Sequence, residues 1–153
     1  MKYIIAIIAL MYATDTFSQK TDLKHIPKKT TKIILENDLS KDDNFSYVIE
    51  TLLDNDFSIA DKDAEYATIE TDLEEVNGLN ASYHFIIRTK ANQIIIRGKY
   101  IIHATIDYGG AESKPSFSNI ENRGMRGSVS KKSFAAMYEF AQLLESDKMN
   151  FEL

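Results

Sequence analysis

Between Ser82 and Asp107 the chain carries two long alternating runs that meet at Lys90-Ala91-Asn92-Gln93, a polar break of the length that closes a β-hairpin. Successive side chains of a strand project to opposite faces. Tyr83, Phe85 and Ile87 therefore share one side of the first arm, and His84, Ile86 and Arg88 the other. In the second arm Ile94, Ile96, Gly98, Tyr100, Ile102, Ala104 and Ile106 fall on one face. Ile95, Arg97, Lys99, Ile101, His103, Thr105 and Asp107 fall on its opposite. A sheet so nearly apolar on one face requires helices or a second layer there, with water or a partner on the polar side. A two-residue turn at Ala91-Asn92 sets His84 opposite Lys99 and Ile86 opposite Arg97.

The flanking chain supplies the helices. Thr30 to Glu36 reads as a first strand, ended by Asn37-Asp38. Ser40 caps a helix in which Phe45, Val48, Ile49, Leu52 and Leu53 form one apolar stripe, and Asn55 stops it. Phe57 and Ile59 begin a short strand, Ala60 to Asp63 turn, Tyr66 to Asp72 alternate as a strand, and Glu74 to Gly78 connect to the hairpin. From Tyr108 to Val129, through Gly109-Gly110, Pro115, Gly124 and Gly127, no period is sustained; connections of that length are usually functional or mobile. A last helix is expected to start at Ser130, with Val129 and Phe134 as a hydrophobic staple and Phe134, Met137, Tyr138, Ala141 and Leu144 on its apolar side. It ends near Ser146 and leaves 147–153 as a frayed tail. The fold class is α+β: an antiparallel sheet with two helices packed on one face, in the order β-α-β-β-β-β-α.

Composition bounds the function. A chain of 153 residues, 44% hydrophobic and 27% charged, makes one globular domain, placed at 30–146. A net charge of -5 and a pI near 5.2 argue against a nucleic-acid backbone as the main partner, though an acidic protein can still carry a local basic patch. Lys2, the apolar run Tyr3 to Ala13 and the polar Thr14 to Gln19 have the layout of a secretory signal peptide at 1–18, cut after Ser18, with a cut nearer Ala13 as the competing choice. That run is about half the roughly 20 residues of a spanning helix, so no stable membrane insertion is expected after processing. Residues 19–29, with Pro27 and several lysines, read as a mobile leader. The expectation is a periplasmic or secreted protein. No cysteine is present, which removes disulfides, a lipid-bearing cysteine and thiolate chemistry.

This order, with the leader, the helix from Ser40 to Asp56, the hairpin ending in Ile106-Asp107-Tyr108-Gly109-Gly110, the segment Asn122-Arg123-Gly124-Met125-Arg126-Gly127 and the closing helix, resembles a family of small exported bacterial proteins. That family is described as a domain of unknown function with a TATA-binding-protein-like fold. The resemblance implies a fold and, since the family has no established activity, no catalytic residues. The acidic balance gives no reason to expect promoter binding.

Three sets of residues are candidates. His84, Arg97 and Lys99, with Arg88 and His103 nearby, share the polar sheet face and suit an acidic peptide or a sheet edge; the plain alternative is a solvated face. Arg123 and Arg126, among glycines ahead of a helix, suit an anion. Their alternative is pairing with Glu112 or Glu121 while the glycines serve turns. Tyr108 and Phe117 fall outside the core spacing and can present exposed rings to a partner. No metal is expected: His84 and His103 are not neighbours in this register, His25 lies in the leader, and zinc needs three or four converging ligands. Catalysis is not expected either, since Asp107 stands roughly 13 Å from His103 along a strand rising about 3.3 Å per residue. No cofactor is implied. The sequence thus points to an exported non-enzymatic domain that binds a protein or envelope component through the polar sheet face or the 108–129 loop. The alternative is a small-ligand or anion binder using Arg123 and Arg126.

Overall fold

A computed structural model describes residues 23–104, 106–108 and 111–153, with only the backbone of 106–108 and 111–113. The expected signal peptide, the first residues of the leader, Gly109-Gly110 and the side chain of Tyr108 lie outside the described residues. The hairpin forms as β5 (Ala81–Lys90) and β6 (Gln93–Ile102), and His84 pairs with Lys99 and Ile86 with Arg97, the register the alternation predicts. Asn92, in the turn, takes a left-handed φ of 64°, a conformation that asparagine tolerates better than most residues. Phe85, Ile87, Ile94 and Ile96 are fully buried, whereas Arg88, Arg97 and Lys99 are exposed. Ile102 departs from the pattern at 45% exposure; it ends its strand opposite the small Ala81 and lies outside the core cluster.

The hairpin is the centre of an eight-stranded antiparallel sheet with strand order β10-β1-β6-β5-β3-β2. The outer members are β1 (Lys32–Glu36), β2 (Ile59–Asp63), β3 (Thr68–Thr71) and β10 (Lys148–Glu152). Short β4 (Glu74–Glu75) joins β5, and β9 (Phe117–Asn119) joins β6 beyond the end of its pairing with β1. A separate pair, β7 (Ile106–Tyr108) and β8 (Ala111–Ser113), follows the hairpin. Helices α1 (Lys41–Asp54) and α2 (Val129–Leu143) pack on one face. Val48 and Leu52 of α1 and Phe134, Met137, Phe140 and Ala141 of α2 join the sheet's isoleucines in one core. Phe85 and Phe140 stack at 5.6 Å, with Phe57 edge-on to Phe140 at 5.5 Å.

Local chemistry sets the helix ends. The Ser40 hydroxyl accepts from Asp43 N at 3.2 Å, capping α1 as its sequence predicts. The left-handed residue that follows the helix is Asp56 (φ 62°), one beyond Asn55. Leu53, counted on the apolar stripe, is 57% exposed; buried Asn44 takes a place on that side and donates to Lys90 O at 3.0 Å. This bond, together with the Asn37–Asn44 side-chain pair at 2.7 Å, fixes α1 against the hairpin turn.

Several expectations are corrected. The N-cap of α2 is Ser128, not Ser130, so Val129 lies inside the helix and forms no staple; the helix also ends at Leu143. Ser130 instead donates to Glu121 O at 2.8 Å and accepts from Glu121 N at 3.3 Å, which draws the preceding loop onto the helix. The second half of the leader is packed: Leu23 and Ile26 are buried, and Asn122 Nδ2 donates to Ile26 O and Pro27 O, each at 3.0 Å. The tail is β10, paired with β1, because Met149 and Phe151 alternate with polar residues and pack against the core. Residues 60–63 extend β2 rather than turning, and the 108–129 stretch contains β8 and β9.

Candidate functional site

Cross-strand partners share a face, so the register of the sheet also defines the surface turned away from the helices. Ile34, Ile95, Arg88 and Thr68 stand in one row across β1, β6, β5 and β3. Arg97, Ile86 and Glu70 make the next, Asn119, Lys99 and His84 a third, and Phe117, Ile101 and Ser82 a fourth. Ile34, Ile86, Ile95 and Ile101 are half-buried, which gives this face an aliphatic floor beneath its charges.

Three carboxylates of the face, those of Glu70, Glu152 and Glu36, are engaged, while Asp61, opposite Glu70, and Glu75, opposite Ser82, share the face. Glu70 Oε1 lies 2.8 Å from His84 Nδ1, Glu152 Oε2 2.6 Å from Lys32 Nζ, and Glu36 Oε1 accepts from Asn150 Nδ2 at 2.7 Å. Arg88, Arg97 and Lys99 have no ion-pair partner among the described residues. Lys90 and Lys148, farther along the same face, are likewise without an ion pair among the described residues. Where β6 passes from β1 to β9 there is an open depression of about 270 Å³, walled by Lys32, Arg97, Lys99 and Asn119 over Ile86 and Gly98. It is smaller than the roughly 300–1,000 Å³ of an enclosing small-molecule pocket, and it is a surface feature. Gly98 is required there, because a Cβ would stand 2.6 Å from His84 O and 2.7 Å from Ile120 Cδ1.

His84 is 8% exposed and lies beneath Phe117, ring centroids 5.3 Å apart, while Phe117 itself is 49% exposed. The Glu70 carboxylate fixes the imidazole by accepting from Nδ1, and buried Nε2 has no hydrogen-bond partner among the described residues. Ser82 Oγ is within 2.9 Å of His103 Nε2, a pair that the sequence reading did not find. The hairpin register contains the signal, since Ser82 faces Ile101 and His103 follows two residues later on that face. No third member completes a Ser-His-acid set among the described side chains. Nor does any group of three His, Asp or Glu among the described residues suit a metal. On the helix side, burial and then Glu74 and Glu139 push the Tyr83 phenol up to about 12, so it stays neutral at physiological pH.

The structure thus brings His84, Arg97, Lys99 and Phe117 together, and adds Lys32, Glu70 and Asn119, whose positions depend on strand pairings the sequence does not specify. Arg123 and Arg126 lie outside this group. Arg123 Nε is 3.1 Å from Glu121 Oε2, Arg126 is exposed, and Gly124, at φ +87°, leaves room for the Ser128 cap. The segment is chiefly the lead-in to α2. A second open depression, near the hairpin turn, carries Glu36, Asp38 and Asp147. Among the described residues no helix is long and apolar enough to cross a membrane. In the comparisons with known proteins, no family model matches the chain, and no curated protein matches it.

Proposed function

We propose that this is an exported, non-enzymatic domain that binds an acidic protein partner through the open face of its sheet. One observation carries this: Arg97 and Lys99 stand exposed, with no ion-pair partner among the described residues, over a half-buried aliphatic floor, while Glu70 and Glu152 are already engaged. Apolar contact under a charged rim is the composition of a transient protein interface, and the cations favour encounter with a negatively charged surface. Phe117 is the aromatic anchor at the margin. Export is supported by Lys2 followed by the apolar run to Ala13. The α+β sandwich supports the TATA-binding-protein-like reading of the fold at the level of its layers. Anion capture by Arg123 and Arg126, the second candidate, has less support because Arg123 is turned onto Glu121.

The test is proximity labelling in the native host, comparing the wild-type chain with Arg97→Glu/Lys99→Glu. A set of neighbours lost in the variant, at unchanged thermal stability and unchanged localisation, supports the proposal. An identical set for both chains contradicts it.

A further inference from the structure

We propose that the depression between β1 and β9 takes an extended acidic segment whose carboxylates stand at alternate positions, one on Arg97 and the next on Lys99. This rests on the docking face proposed above and specifies its occupant.

Arg97 and Lys99 are two residues apart on β6, so they share a face and stand about 6.6 Å apart along the strand. A partner in extended conformation has the same repeat. Its carboxylates at i and i+2 meet both cations, while the residue between them points to solvent. The floor is formed by the backbone of β6 at Gly98 and the half-buried side chain of Ile86. Asn119 and Thr31 also line the depression and offer neutral hydrogen-bonding groups to the segment's backbone. Lys32 also reaches the rim, but Glu152 holds it, so it contributes a flanking charge and not a direct clamp.

The chemistry selects carboxylates through geometry as well as charge. A guanidinium can present two parallel N–H donors to one carboxylate, whereas an ammonium acts as a point charge. Arg97 is therefore the orienting contact and Lys99 the second, weaker one. Arg88 lies one row away and lines no part of the depression, which makes it the control cation.

The test uses the full chain and fluorescein-labelled peptides of one composition, read by anisotropy at low ionic strength. One peptide has two glutamates separated by a single serine, another has them adjacent, and a third has them four apart. Succinate is the small-molecule competitor. The expected result is tightest binding by the alternating peptide, weakened about tenfold by Arg97→Gln and about threefold by Lys99→Gln, and unchanged within about twofold by Arg88→Gln. Succinate displaces it poorly. Equal affinity for all three peptides, each lost in Arg97→Glu/Lys99→Glu, overturns the alternating register but leaves the docking face standing. Preference for the four-apart peptide indicates a helical occupant and overturns the proposal, as does full displacement by succinate at the peptide's own concentration. Failure of every peptide to bind, together with partner labelling indifferent to Arg97→Glu/Lys99→Glu, removes the docking face as well. Thermal unfolding of each variant, expected to match wild type because these side chains are exposed, separates binding effects from folding effects.

Discussion

Gly98 shows how a single residue sets the packing of the core layer against the sheet. Its missing side chain lets Ile120 and Phe85 pack against β6 from the core side. Gly98→Ala forces a contact on the His84 carbonyl that backbone cannot yield, and overpacking of this kind costs about 1–3 kcal/mol. A urea midpoint unchanged by the substitution would contradict the close approach. Tyr83 gives a prediction in pH. Its phenol is held near 12 in the folded chain against an ordinary value of 10.0, so the unfolded chain ionises first as pH rises. Stability contributed by the neutral phenol is intact below pH 10 and declines between about 10 and 12. Tyr83→Phe should remove that part of the alkaline loss, measured as the difference between the two chains' unfolding free energies across that window. Identical alkaline profiles would place Tyr83 in a wetter site.

At the scale of elements, the C-terminal strand is the clearest test of the sheet. Truncation after Asp147 removes Met149 and Phe151 from the core and leaves β1 with an unpaired edge. The expected loss is about 2–4 kcal/mol in chemical denaturation; a chain equally stable without these residues would return 148–153 to the status of a tail. The reason β10 escapes the sequence is physical. Lys32 and Glu152 meet across 120 residues, and five residues with two apolar side chains carry too little local pattern to show a partner that distant. The hairpin and α1 are legible because their determinants lie within the elements themselves: period two with a two-residue turn in one, a capping serine and a helical stripe in the other. For α2 the stripe was readable but its start was not, since Ser128 and Ser130 have the same chemistry and only the fold assigns one to the cap and the other to Glu121.

For the whole molecule, what matters is how charge is distributed over two layers. A net charge of -5 spreads acids over the chain, yet on the open face Glu36, Glu70 and Glu152 are engaged while Arg88, Arg97 and Lys99 have no ion-pair partner among the described residues, with Asp61 and Glu75 out on β2 and β4. Three residues of this candidate site follow from hairpin alternation, which puts His84, Arg97 and Lys99 together. Glu70, Lys32 and Asn119 enter through β3, β1 and β9, whose order beside the hairpin depends on the global packing of α1 and α2. Arg123 and Arg126 are the second candidate in sequence, and in the fold Glu121 engages the first of them.

The division into a buried and a wet face can be measured directly, because the chain contains no cysteine of its own. Single substitutions Ile94→Cys, Ile96→Cys, Arg97→Cys and Lys99→Cys place one thiol at four neighbouring positions of β6. Under native conditions the two arginine and lysine sites should react with a maleimide at the rate of the unfolded chain, and the two isoleucine sites at least roughly a hundredfold more slowly, through opening of the core. Fast labelling at 94 and 96 with protection at 97 and 99 would reverse the faces and contradict every surface assigned here.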